Sequence, residues 1–143
     1  MVVIESAGPT DVEHVVRLAH DALAIDPTTI PSAIEHGCCI IARDSGAGPI
    51  LGFAVACREE PCEGHITALA VDRMRRGEGI GKALLSGVRS EMIHHGARHL
   101  HLEVRADDPK AQAFYSRNGF APEGLQRHAY QDGEDAVRYG RPI

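Results

Sequence analysis

The sequence predicts a mixed α/β fold, with one central sheet of about seven strands flanked by about four helices. Three observations predict it. Short apolar, strand-like runs recur along the chain, stretches of helical periodicity separate them, and Gly, Pro and Asp mark the changes between the two. With 143 residues and no linker, repeat or low-complexity segment, a single domain over 1–143 is expected.

Residues 2–4 read as a short first strand, stopped by Gly8-Pro9-Thr10. Thr10 and Glu13 have the spacing of a capping box. Val12, Val15, Val16, Ala19, Ala22 and Leu23 then recur on one helical face, and Asp26-Pro27 ends that helix. A short helix is expected over 31–36, closed by Gly37. The runs 38–43 and 50–57 are strand-like and are joined by Asp44-Ser45-Gly46-Ala47-Gly48-Pro49, a hairpin signature. Residues 64–71 read as a third long strand.

A glycine-rich turn follows at 76–81, after which Ile80, Leu84, Val88 and Met92 line a helix that Gly96 ends. Residues 99–105 alternate cleanly, with Leu100, Leu102 and Val104 on one face and His101, Glu103 and Arg105 on the other. Asp108-Pro109 reads as an N-cap with Pro at the first helical position, opening a helix to Arg117 that Gly119 stops. The remainder, 120–143, reads as two strands joined near Asp132-Gly133, a favoured hairpin turn.

Composition narrows the function classes. A net charge of -5 argues against a nucleic-acid binder built on a broad basic face, while leaving room for a local basic pocket. No apolar run approaches the roughly 20 residues that span a bilayer, and Met1-Val2-Val3-Ile4-Glu5 lacks the basic start of a signal peptide. No membrane association and a cytoplasmic location are therefore expected. Cys38, Cys39, Cys57 and Cys62 lack zinc-knuckle spacing, and His94, His95, His99 and His101 form no H-E-x-x-H pattern. Free thiols and no metal are expected.

Arg76-Gly77-Glu78-Gly79-Ile80-Gly81 follows a strand and opens a helix. Such a turn aims several backbone N–H groups at one anion, helped by the positive end of the helix, and glycine keeps side chains out of the way. Arg75, Arg76 and Lys82 add positive charge, which suits a pyrophosphate. A Walker A loop ending at Gly81-Lys82 would need Gly at 76 and Ser or Thr at 83, where the chain has Arg76 and Ala83. The dinucleotide fingerprint fails as well, because the spacing is G-x-G-x-G and the preceding strands look hairpin-connected. A tight turn without a ligand is the competing reading.

These residues resemble those of the GNAT acetyltransferases. Arg76-x-x-Gly79-x-Gly81, after Gly64-His65-Ile66-Thr67-Ala68-Leu69-Ala70-Val71, resembles that family's acetyl-CoA pyrophosphate loop. Leu102-Glu103-Val104-Arg105, then Ala113-Phe114-Tyr115 and Asn118-Gly119-Phe120, is similar to the second half of the same site. Tyr130-Gln131-Asp132-Gly133-Glu134-Asp135-Ala136 resembles the tail of protein Nα-acetyltransferases of the RimI and archaeal type. The likeness covers residues 50–143.

The resemblance implies a GNAT fold and acetyl transfer from acetyl-CoA to an amine, directly, within a ternary complex. The amine would be the N-terminal α-amine of a protein or peptide. The backbone of Leu69, Ala70 and Val71 would hold the pantetheine arm, and Arg76, Gly77, Glu78, Gly79, Ile80, Gly81 and Lys82 the pyrophosphate. Asp108 stands where the family has Asn, so an amide donor is exchanged for a carboxylate. Tyr130 and Glu134 would contact the acceptor. The alternative acceptor is a small amine such as a polyamine, amino acid or antibiotic. It is favoured by 26–32, which reads Asp-Pro-Thr-Thr-Ile-Pro-Ser where the Nα-acetylating enzymes have a Leu-Pro-x-x-Tyr-like segment. The tail favours a peptide, even though Ala129 stands where a Tyr-Tyr pair would begin. A CoA-binding module without turnover is a third reading. The expected assembly is a monomer or homodimer.

Acetyl transfer needs a neutral amine and a proton for the departing thiolate. An α-amine (pKa about 7.7–8.0) is easier to deprotonate than a lysine (about 10.4) by roughly 3.5 kcal/mol, so a modest base suffices. Glu103, on the polar face of its strand, and His65, near the start of the preceding strand, are the candidates. Tyr115 falls where the resemblance puts the general acid. Competing structural readings are a surface Glu103 paired with Arg105 or a neighbouring strand, a His65 that only hydrogen-bonds in the cleft, and a Tyr115 packed under the sheet. A bulge near Leu69 or Ala70 would free an N–H for the developing oxyanion.

Overall fold

Seven strands build one mixed sheet in the order β1-β2-β3-β4-β5-β7-β6. The computed structural model describes residues 1–22, 26–45 and 47–143, with the side chains of 21 and 22 outside that description. The strands are β1 (Val2–Ser6), β2 (Cys39–Asp44), β3 (Ile50–Glu59), β4 (Glu63–Val71), β5 (His99–Arg105), β6 (Ala121–Gln126) and β7 (Ala136–Pro142). The helices are α1 (Val12–Ala22), α2 (Ile30–Glu35), α3 (Ile80–His94) and α4 (Pro109–Arg117). Element types and order agree with the periodicity. The expectations for the Ala22 and Leu23 side chains and for Gly46 fall outside the described residues. Among the described residues, no helix is long and apolar enough to cross a membrane.

Both faces of the sheet are covered, because β2, β3 and β4 are apolar on both sides. One core holds Ile80, Leu84, Val88 and Met92 of α3 against Leu100, Leu102 and Val104 of β5, and α4 joins it through Phe114 and Tyr115. The other core packs Val15, Leu18 and Ala19 of α1 and Ile30 and Ile34 of α2 against Ile41, Phe53 and Val55. The predicted face of α1 is right in Val15 and Ala19, and Leu18 joins it.

β4 changes face part-way along. Ile66 belongs to the α3 side, yet Ala68 and Ala70 belong to the α1 side. A strict period of two would keep all three together. An extra residue resolves this: Val55 pairs with Ala68 and Ala56 with Ile66, leaving Thr67 as a bulge. The bulge therefore lies at Thr67, ahead of the Leu69 and Ala70 positions where the sequence suggested it. It turns Leu69 and Val71 toward the α3 side, where they pack on that core.

Two local expectations are corrected. The N-terminal cap of the first helical segment is not Thr10 with Glu13. A 3-10 turn over Pro9–Asp11 precedes α1, and the Asp11 carboxylate accepts from the Gly8 N–H at 2.8 Å. Thr10 is already inside that turn. Nor do Asp132 and Gly133 close a tight β6–β7 hairpin. The strands stop pairing at Gln126 with Ala136, so the connection is an arch over 127–135. Within it the Gly133 N–H donates to the Tyr130 carbonyl, and Gly133 takes φ 89°.

Asp11 also receives Arg43 Nη2 at 2.8 Å, while Arg43 Nε reaches Glu5 at 2.9 Å. The entry to α1 is thereby fixed to β1 and β2. The Gly8 N–H, aided by Arg43 and opposed by partial burial, holds the Asp11 carboxyl below its usual range. A carboxylate depressed in the folded state stabilises fully above its unfolded pKa of about 3.9 and loses that contribution as pH falls through the folded value. Asp11→Asn is expected to cost about 1 kcal/mol at neutral pH, and its deficit should shrink as pH drops below that range. Urea unfolding of both proteins across acid pH checks this.

Candidate active site

β4 and β5 are neighbours for three residue pairs only: Glu63 with His99, Gly64 with Leu100, and His65 with His101. Beyond them β5 stays on β7 along its whole length, while β4 continues on β3. The strands therefore diverge, and the far part of β4 has backbone groups on one edge with no strand opposite. A cleft of about 810 Å³ opens there, lined by residues 69–71, by the first turn of α3, and by Asp108, Phe114 and Tyr115 of the α4 region.

The glycine-rich turn forms one wall. Gly77 and Gly79 sit at φ 83° and 85°, a left-handed conformation that side chains disfavour. Gly81 is bare for a different reason: a Cβ there would lie 3.0 Å from the Phe114 ring. The first helical bond of α3 runs from the Ala83 N–H to the Gly79 carbonyl at 3.0 Å. The preceding amides of the first turn have no carbonyl inside the helix and point out of its positive end.

Charge follows the same wall. Arg75 is occupied by Asp44 at 3.3 Å and Glu78 at 2.9 Å. Arg76 donates only to the Val71 carbonyl, at 3.3 Å, among the described residues. Lys82, Lys110 and Arg117 also line the cleft, and a smaller hollow of about 270 Å³ shares Lys82 and Arg117 and adds Arg89. Bare backbone, free helix amides and unspent cations fit a ligand carrying a pyrophosphate. Of the residues expected to hold such a ligand, 69–71, Arg76, Gly77, 79–82, Asp108 and Tyr115 line the cleft. Glu78 does not; its carboxylate is turned onto Arg75.

Tyr115 is placed by the ties that hold α4. Asp108 caps the helix by accepting from the Ala111 N–H at 3.1 Å. Gln112 donates to the Arg105 and Ala106 carbonyls at 3.2 and 3.0 Å and accepts from the Tyr139 hydroxyl at 3.2 Å. The Tyr115 ring meets Phe114 and Phe120 edge-on, at 5.1 and 5.7 Å between centroids. Burial, with a smaller push from the Asp108 carboxylate, raises the Tyr115 phenol to about 12. The hydroxyl is therefore a permanent donor at neutral pH.

On the opposite face of the sheet, His65 Nε2 meets Glu103 Oε2 at 3.0 Å and His65 Nδ1 meets Glu59 Oε2 at 3.0 Å. This Glu103–His65 contact bridges β4 and β5 at the point where they separate. Arg105, the other partner considered for Glu103, is taken by Asp107 and Asp132 at 3.0 and 2.6 Å. Tyr130 lies under the Arg105 guanidinium, 4.8 Å from its ring centroid. Burial, reinforced by the charge of Glu103, pushes the Tyr130 phenol up against the pull of Arg105. Glu134 folds back, its carboxylate accepting from the Asp135 N–H at 3.2 Å and its carbonyl from the Tyr130 N–H at 3.2 Å.

Sequence reasoning brought His65 and Glu103 forward separately, and the fold joins them. Glu59, Gln112 and Lys110 were not singled out, and His101 was weighed only as a metal ligand and set aside for want of a spacing motif. Lys110, Phe114 and Arg117 are spaced to share one face of α4, which was a usable signal. Glu59 and His101 reach the cluster only through strand register.

The Acetyltransferase (GNAT) family profile matches residues 13–120. The chain is 37% identical over 82 residues to the N-alpha-acetyltransferase of Sulfurisphaera tokodaii, a match over 57% of this chain and 49% of that protein. The chain thus spans about half the length of the curated relatives it matches first. Among solved structures, it is similar to Ard1 from Thermoplasma volcanium, with TM-score 0.89 and 27% identity over 99% of this chain and 97% of that one. The ribosomal-protein-S18-alanine N-acetyltransferase from Escherichia coli gives TM-score 0.85 and 30% identity over 100% and 94%. The profile match over most of the chain, on a sheet that opens between β4 and β5, shows that this chain belongs to the GNAT acetyltransferase family.

Proposed function

We propose that the protein transfers an acetyl group from acetyl-CoA to the N-terminal α-amine of a protein or peptide. The observation that carries the reading is the divergence of β4 from β5, with Tyr115 on one face of the gap and the His65–Glu103 pair on the other. A bound acetyl-CoA would supply the activated acetyl thioester. The chain's own groups do the rest.

The bare amides of the glycine-rich turn, with Arg76 and Lys82, hold the pyrophosphate, and the free edge of residues 69–71 orients the arm. Glu103, hydrogen-bonded to His65, takes the proton from the incoming amine. Tyr115 gives its proton to the departing thiolate. With the phenol at about 12 and an ordinary thiol near 8.5, that transfer is uphill by about 5 kcal/mol. The cleft that raises the phenol raises a thiolate in the same place, which narrows the gap. The Thr67 bulge disturbs the β3–β4 ladder beside this edge, where an N–H is needed for the oxyanion.

The α-amine is favoured because one hydrogen-bonded carboxylate is a modest base, and an α-amine costs roughly 3.5 kcal/mol less to deprotonate than a lysine. The arch over 127–135 sets Tyr130 beside Glu103, where the first residues of a peptide would lie. The relatives named above for Nα-acetylation support the same class. Acetylation of a small amine is the second reading. It is favoured by the 26–32 segment, which forms a 3-10 turn over Pro27–Thr29 and leads into α2.

Release of CoA thiol with two matched peptides tests the reading. One has a free N-terminus and no lysine, the other a blocked N-terminus and one lysine. Turnover of the first alone is expected; turnover of neither, with acetyl-CoA bound, would move the assignment to small amines. Tyr115→Phe is expected to lower kcat by about 10²-fold or more while leaving acetyl-CoA binding within about twofold. An unchanged kcat would remove Tyr115 from the mechanism.

A further inference from the structure

We propose that Glu59, His65 and His101 form a binding site for one divalent transition-metal ion of the zinc class. Three neighbouring strands supply one ligand each: β3 gives Glu59, β4 gives His65 and β5 gives His101. His65 and His101 are register partners, and their rings stack 4.3 Å apart at 16°. One nitrogen of each ring stands beside the Glu59 carboxylate. His65 Nδ1 stands 3.0 Å from Glu59 Oε2, and His101 Nε2 stands 3.7 Å from Glu59 Oε1. Two ligands bound at about 2.0–2.1 Å with tetrahedral angles lie about 3.3 Å apart, so these separations bracket what an ion requires.

The second nitrogen of each ring carries the stronger argument. Histidines that ligate a metal donate their other N–H to a carboxylate or carbonyl, which fixes the tautomer and the ring plane. Both rings here have that partner. His65 Nε2 is 3.0 Å from Glu103, and His101 Nδ1 is 2.6 Å from Glu63. His101, at 4% exposure, is a buried anchor, while Glu59 is half exposed and leaves the remaining position open to solvent. Two imidazoles and one carboxylate form a donor set suited to zinc and its neighbours rather than to calcium or magnesium.

The adjacent trio Glu63, His99 and His101 is a different object. One oxygen of Glu63 lies 2.6 Å from both Nδ1 atoms and 3.3 Å from Arg138 Nη2. The first spacing is too short for an ion between the groups, and the guanidinium already supplies the cation. That trio is an ion-pair knot supporting the site beside it. An ion on His65 Nδ1 would leave Nε2–H committed to Glu103, so the site adjoins the acetyl-transfer machinery without depending on the acceptor.

The test uses the full chain stripped by chelator, titrated with Zn²⁺ by calorimetry and with Co²⁺ by visible absorption. One ion per chain is expected, with the ligand-field bands of tetrahedral Co²⁺. Glu59→Gln and His65→Asn should each weaken binding by at least about 10-fold, with circular dichroism unchanged. Replacing His94 and His95 together, an exposed pair at the end of α3, should leave binding intact. Absence of binding in the parent protein, retention of affinity in both site variants, or loss of it with His94 and His95 would overturn the proposal.

Discussion

The early parting of β4 and β5 is the constraint on which the rest of the structure depends. A parallel pair held together along its length would consume the backbone groups of residues 66–71 and close the cleft. Here β5 is committed to β7 in seven register pairs and to β4 in three. The gap that results supplies free backbone on one wall and receives the amino end of α3 on the other. The glycine-rich turn therefore makes half a site, and the unpaired strand edge makes the remainder.

Keeping such a gap open requires both flanking walls to be stiff. On the β4 side, the Thr67 bulge directs Ala68 and Ala70 into the α1–α2 core and Leu69 and Val71 toward the α3 core, so the free edge is anchored on both faces. On the β5 side, Gln112 ties α4 to the end of β5 and to Tyr139 of β7, which fixes Tyr115 without engaging its hydroxyl. At the apex, the His65–Glu103 contact spans the two strands where their last register pair stands. Tyr115 and the His65–Glu103 pair thus flank one gap from opposite faces of the sheet.

How much was legible in the sequence follows from how local each signal is. The β5 strand and the Asp108-Pro109 opening of α4 were readable because alternation and capping are written in consecutive residues. The G-x-G-x-G turn was readable because positive φ at Gly77 and Gly79 demands glycine in place. The cap at Gly8 was misassigned to Thr10 and Glu13 because a 3-10 turn places the first helical residues earlier, where Asp11 has the reach. Asp132-Gly133 does make a turn, but strand pairing ends at Gln126 and Ala136, so the arch is set by register rather than by that dipeptide. The Glu59–His65–His101 cluster had no sequence spacing to betray it, since its members come from three strands that only the sheet order makes adjacent. The Glu78 carboxylate turns away from the cleft because Arg75, three residues before it, pairs with it.

Hydrogen–deuterium exchange with and without CoA tests the central claim most directly, because the amides in question are the ones that the divergence of β4 leaves without a strand partner. Fast exchange in the free protein is expected for the amides of 66–71 that face away from β3 and for the first turn of α3. Slowing on CoA binding, concentrated in those two segments, is also expected. CoA bound with no change in either segment, or with protection centred on α1 and α2, would contradict it.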